Sequence, residues 1–242
     1  MQYFFVLITG LIAGTLGGIV GTGTSIMLVP VLIYAFGPKE AVPIMAIAAV
    51  FANASRIVAW WREVDWKATA AYGLPAIPAA ALGARTLLAL PSRTVDICIA
   101  LFMLVMIPLR HWLMGRGLKL GLWHLALAGA VIGYVSGIVA STGPVSVPVF
   151  LAYGLTKGAF LATEAASSLF IYFSKAATFR AFGALPYEII VKGLLTGSTV
   201  MLGAFIAKPL VVRIDANVFR YVLDVLMAVS ALAILWAAFT AA

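Results

Sequence analysis

Among the ionisable side chains inside otherwise apolar helical runs of this chain, Arg56, Glu164 and Lys175 stand out, with Asp96 near a helix start and Asp224 a weaker candidate. A charge at membrane depth is costly and is a functional candidate by default. Arg56 and Lys175 each lie about one and a half turns inside the end of a run. From there they can reach a buried anion or snorkel back to the interface. Asn53, three residues before Arg56, shares its helix face and adds an amide. Glu164 stands on one helical stripe with Ser168 and Lys175. A carboxylate in that position reads either as a proton-coupling group or as the partner of a nearby cation such as Lys157.

A second set of residues carries no charge at all. Gly21, Thr22, Gly23, Thr24 and Ser25 open a short apolar run; Ser141, Thr142, Gly143, Pro144, Val145 and Ser146 open another. Glycine lets backbone approach a ligand closely and adopt positive φ, and Pro144 suits the first turn of a helix. Backbone N–H groups and the positive dipole end at such a start form an anion site, to which the Thr and Ser hydroxyls add donors. The competing reading is helix packing through small residues, with Gly14 and Gly18, or Gly133 and Gly137, as GxxxG pairs. Packing explains the small residues but not the short half-helices that follow them. The candidate substrate-binding set is therefore Thr22, Gly23, Thr24, Ser25, Asn53, Arg56, Ser141, Thr142, Gly143, Ser168 and Lys175. Glu164 is the coupling candidate. No metal site and no cofactor is expected.

These residues are positioned by an internal duplication. One step of 119 residues carries Gly14 to Gly133, Gly18 to Gly137 and the Ile19-Val20 pair to Ile138-Val139. The same step carries the segment Ala49 to Arg56 onto Ser168 to Lys175. Matched Gly/Pro-interrupted apolar segments, one in each half, are the best sequence pointer to a transporter's binding site. The halves are residues 1–113 and 122–242, joined by a linker at 114–121 into one membrane domain.

Composition names the solvent. Of 242 residues, 64% are hydrophobic and 10% charged, and the mean hydropathy is +1.12. Soluble domains carry roughly 25% charge, so this much apolar surface belongs in lipid. The net charge of +8 is spread over short loops, which the positive-inside rule accounts for better than nucleic acid does. The single Cys98 excludes a disulfide framework. Trp60, Trp61, Trp66, Trp112 and Trp123 sit at helix ends as an aromatic belt. Helices are expected at 3–20, 25–36, 41–61, 68–90, 94–113, 122–140, 145–155, 159–179, 188–208 and 218–240. The runs at 25–36 and 145–155 are too short to span a bilayer.

If each broken pair enters the membrane and returns to the same side, Arg62, Lys67, Arg110, Arg116, Lys119, Lys157, Lys208, Arg213 and Arg220 share one face. The positive-inside rule favours that arrangement over single crossings. Each half then makes three net crossings. The expected fold is an all-α polytopic membrane protein of two inverted-topology repeats, each a re-entrant broken pair plus three transmembrane helices. Both termini fall outside the cytoplasm.

The break motifs resemble the TauE/SafE family of sulfite and organosulfonate exporters. Gly17-Gly18, Gly21-Thr22-Gly23 and Pro30 carry the resemblance in the first half. Ser136-Gly137, Ser141-Thr142-Gly143 and Pro148 carry it in the second, and the Val64-Asp65-Trp66 turn adds to it. The second break has fewer glycines than the family often shows, and Ala49 stands where a small hydroxyl residue is common. The resemblance implies transport of a small sulfur-containing or carboxylate anion across a bacterial inner membrane. The partners expected are that anion and the lipid bilayer; a second copy, as a homodimer, is compatible with the sequence. The cationic surplus and the two half-helix starts independently favour an anion. A membrane enzyme would need a convergent set of nucleophile, base or metal ligands, which two His and one Cys do not supply. A scaffold would not need matched helix breaks. Export or facilitated flux is expected, with Glu164 paired; proton-coupled uptake is the alternative.

Overall fold

A computed structural model describes residues 2–20, 23–140, 142–207 and 216–240. They form ten α-helices and one short 3-10 turn. In chain order these are α1 (Gln2–Val20), α2 (Gly23–Phe36), α3 (Pro38–Trp60), the 3-10 turn (Trp61–Glu63), α4 (Trp66–Ala89) and α5 (Ser92–Gly115). The second half supplies α6 (Leu122–Ile138), α7 (Gly143–Tyr153), α8 (Lys157–Ala181), α9 (Tyr187–Ala207) and α10 (Ala216–Thr240). The chain is an all-α membrane protein. The helices starting at Pro38, Ser92 and Tyr187 are long and apolar enough to cross a bilayer.

Local chemistry sets the helix ends. Asp65 caps α4, its carboxylate accepting from the Lys67 and Ala68 N–H groups at 2.9 and 3.0 Å. α7 ends at Gly154, whose φ of +106° is a conformation that side chains disfavour. Pro38 starts α3 three residues before the apolar pattern does. α6 stops at Ile138, short of the expected 140, because Val139 turns extended.

The two short helices fold back beside their predecessors. The Tyr3 ring at the start of α1 meets the Phe36 ring at the end of α2, 5.4 Å between centroids. In the second half the Leu120 N–H, just before α6, donates to the Ala152 carbonyl near the end of α7 at 2.9 Å. Each broken pair thus begins and ends at one place. By length α2 covers about 21 Å and α7 about 16 Å, short of the roughly 30 Å hydrocarbon core. The two hairpins lie at opposite ends of α3. The first adjoins its start, where Glu40 pairs with Lys192 at 2.9 Å. The second adjoins its far end, where the Tyr153 hydroxyl faces Asp65 at 3.5 Å.

Packing between the halves is reciprocal. α4 lies along α6 and α1 along α9; α3 packs on α9 and α4 on α8; α5 meets α7 and α10 meets α2; α3 meets α8 and α5 meets α10. Exchanging the halves reproduces the same list. The closest approaches run through glycine. A Cβ on Gly133 would lie 2.9 Å from the Ala76 Cα, and one on Gly137 2.6 Å from the Ala80 carbonyl. A Cβ on Gly14 would lie 2.7 Å from the Val200 Cα. The small residues Gly14, Gly133 and Gly137 of the break motifs therefore do serve packing. They bring α6 and α1 against helices of the other half. The outward faces are apolar, with Phe4, Leu74, Leu127, Val131 and Leu202 among the exposed side chains. Trp60, Trp61, Trp66, Trp112 and Trp123 are exposed at helix ends, where Arg62 and Arg116 lie over the Trp61 and Trp112 rings at 5.4 and 4.3 Å.

Candidate functional site

The breaks meet. Thr24 and Ser25 at the start of α2, and Thr142 and Gly143 at the start of α7, line one cavity. Its remaining wall comes from α1 (Gly14, Gly17), α6 (Ser136), α9 (Val200, Ala204) and matching stripes of α3 and α8. On α3 the stripe is Met45, Ala49, Ala52, Asn53 and Arg56; on α8 it is Glu164, Ser168, Ile171 and Tyr172. The 119-residue step maps the first four of these onto the α8 set in order. The space measures about 30 Å³, room for roughly two waters. Arg56 and Glu164 are the charged side chains on its wall among the described residues.

Those two are paired. Arg56 Nη1 lies 2.7 Å from Glu164 Oε2, with the side chains 11% and 4% exposed. Arg56 Nη2 donates to Asn53 Oδ1, while Asn53 Nδ2 donates to the Ala49 carbonyl at 2.7 Å. Asn53 therefore holds the guanidinium in place, and one of its two amide protons goes to the Ala49 carbonyl. The other Glu164 oxygen, Oε1, accepts from Ser146 Oγ at 2.9 Å and Ser168 Oγ at 3.0 Å. Ser146 has a second acceptor in the Gly143 carbonyl at 3.2 Å. Three elements, α3, α7 and α8, thus meet at one carboxylate, in line with the rule that a buried charge is paired and hydrogen-bonded.

Lys175 is placed elsewhere. It is fully buried and is absent from the cavity wall. Its ammonium donates to the carbonyls of Ser136 at 2.5 Å, Val139 at 3.1 Å and Ala140 at 3.5 Å. The cause is the helix break: where α6 stops, its last carbonyls lose their helical donors, and a buried ammonium satisfies them. Lys175 therefore neither snorkels nor reaches the cavity, although its repeat mate Arg56 does line it.

Thr24 is a weaker donor than its hydroxyl suggests. It is buried, and Oγ1 already donates to the Ala13 carbonyl at 3.1 Å. Gly23 opens α2. Thr22 and Ser141 lie outside the described residues. Glu164 is paired with Arg56. In the sequence Ser146 reads only as part of a helix start. Ser146 and Glu164 lie on different helices, α7 and α8, so only the fold joins them. Ser136 and Tyr172 could have been found through the duplication, as mates of Gly17 and Asn53.

The Val64-Asp65-Trp66 turn docks on the start of α8. The Asp65 N–H donates to Thr163 Oγ1 at 2.9 Å, one residue before Glu164. The model of the family described as sulfite exporter TauE/SafE matches residues 6–234. The chain belongs to the TauE/SafE family. That is a transporter family and not a family of enzymes, and the match takes in both broken pairs and the whole cavity wall. Neither the curated proteins nor the solved structures give a match.

Proposed function

We propose that this TauE/SafE member is an exporter of a small anion, sulfite or a related sulfur oxyanion, bound between the starts of α2 and α7. One observation carries the reading: both half-helix starts and the Arg56 guanidinium border a single buried cavity. Helix starts and a fixed guanidinium are complementary to a compact oxyanion. The small volume of about 30 Å³ favours sulfite over longer organosulfonates or carboxylates. The family description names export, and an inside-negative potential drives an anion outward.

The reciprocal packing of α1–α5 and α6–α10 supports two inverted repeats, residues 1–113 and 122–242, around this site. Alternating access would then be rocking of one repeat against the other. The end carrying Arg62, Lys67, Arg116 and Lys119 is the cytoplasmic one on the positive-inside rule. On this reading the protein lies in a bacterial inner membrane with both termini periplasmic.

Purified protein in liposomes tests the reading. Sulfite should leave loaded vesicles faster than from protein-free ones, and Arg56→Ala should abolish most of that flux. Equal leakage with and without protein would sink it.

A further inference from the structure

The donors that an incoming anion needs are already occupied. Arg56 Nη1 lies on Glu164 Oε2 at 2.7 Å, and Ser146 and Ser168 donate to Oε1 at 2.9 and 3.0 Å. We propose that Glu164 is a tethered stand-in for the substrate, holding these donors in the empty carrier and yielding them when it takes up one proton. This rests on the anion-transport reading above and adds its coupling: the proton is bound with the anion and leaves with it.

Charge makes the two occupancies exclusive. With Glu164 ionised, the Arg56 charge on the cavity wall is already balanced. A second anion a few ångströms from the carboxylate would meet like-charge repulsion in a largely buried site, and such pairs do not both stay ionised. A proton taken from bulk water onto a Glu164 oxygen removes that repulsion and frees the guanidinium. Ser146 then turns to the Gly143 carbonyl, already 3.2 Å away, or to the substrate. On release the proton returns to water and the carboxylate closes on Arg56 again.

The repeat separates this role from a structural one. The 119-residue step places Met45 where the second half has Glu164, and both line the cavity. The helix register therefore accepts an apolar residue, and the carboxylate is an addition of one half. The charged and titratable groups around it are few. α3 presents Arg56, α4 presents the buried Tyr72, and α8 itself presents Tyr172. α7 offers Ser146, and α6 offers Ser136 to the cavity while holding Lys175 at its end. Glu63 of the 3-10 turn lies against Gly158 at the start of α8.

The test compares wild type with Glu164→Gln and Glu164→Asp, using sulfite as the probe. Sulfite titrates near neutrality, so the readout is the ratio of the two proteins' sulfite affinities, in which its own protonation cancels. The wild-type to Gln ratio should fall by up to ten-fold per pH unit as pH rises above the carboxyl's titration, the slope of one linked proton. Sulfite efflux through wild type should also export about one more proton per anion than through the Gln variant, and Asp should restore it. A flat ratio with equal proton counts overturns the proposal while leaving anion transport standing. Failure of wild type to bind or move sulfite at any pH overturns the transport reading and this inference together. If the Gln variant does not fold, infrared difference spectra of wild type decide: added sulfite must raise a protonated-carboxyl band, and its absence overturns the proposal.

Discussion

Arg56 and Glu164 are 108 positions apart in the chain, yet Nη1 and Oε2 stand 2.7 Å apart across the α3–α8 interface. The pair sits nearly out of solvent, so removing one partner strands the other. Arg56→Ala should cost about 3–5 kcal/mol of stability. The double variant Arg56→Gln with Glu164→Gln should recover much of this, because two neutral amides leave no buried charge. Thermal unfolding in detergent checks both. Equal destabilisation by the single and double changes would mean that packing, not charge, holds this interface.

Lys175 should behave as the opposite case. Its three carbonyl partners belong to the end of α6 and its neighbours. Lys175→Met should destabilise by about 1.5–3 kcal/mol, the range for a hydrogen bond to a charged group. The folded fraction should bind sulfite within about two-fold of wild type, against the much larger loss expected for Arg56→Ala on removing a charged donor. A selective loss of affinity in the Lys175 variant would return that residue to the binding site.

The contrast between these two cations marks where sequence reasoning stops. The helices and their breaks were legible because Gly, Pro and the lengths of apolar runs are local signals. The convergence of α2 and α7 was legible because the duplication gives two copies of one break. What a cation does in the fold depends on facts that periodicity does not carry. Lys175 needed to be seen against the point where α6 stops, two residues before the apolar run does. The stripe shared by Glu164, Ser168 and Lys175 correctly joined the first two, whose side chains hydrogen-bond. It failed for the third, since eleven residues of helix rise, about 16 Å, separate Lys175 from Glu164.

Glycines at the α4–α6 and α1–α9 crossings should be intolerant of a single methyl. At Gly137 it would meet the Ala84 nitrogen and the Ala80 carbonyl, and at Gly14 the Val200 backbone. None of these atoms can rotate away. Gly137→Ala and Gly14→Ala should each cost about 1–3 kcal/mol or more through overpacking. Gly115→Ala, at the end of α5 with open space around it, should be neutral or stabilising by up to about 1 kcal/mol. Unfolding temperatures of the three variants test the difference.

Asp65 should matter to folding more than its place in a loop suggests. Its carboxylate caps α4, and its N–H holds Thr163 beside Glu164. Asp65→Ala should cost about 0.5–2 kcal/mol, and Asp65→Asn should recover most of it, since an amide oxygen also caps. The backbone bond to Thr163 survives both changes, so sulfite affinity of the folded protein should hardly move. A large affinity loss in Asp65→Asn would make the carboxylate charge part of the transport machinery.

The direction of net flux follows from the charge carried. If sulfite dianion leaves with one proton, one net negative charge crosses. An inside-negative potential favours that by about 2.3 kcal/mol per 100 mV, about fifty-fold in concentration ratio. Moving the proton outward against one pH unit costs about 1.4 kcal/mol. The potential wins, so proton coupling and export are compatible. Vesicles held at 100 mV inside-negative, with the outside one pH unit more acidic, should therefore still lose sulfite through wild-type protein. Collapsing the potential while keeping the pH gradient should reverse the flux. Reversal also for Glu164→Gln would show that the proton rides on sulfite itself. Continued efflux of wild type after collapse of the potential would mean that no proton accompanies the anion.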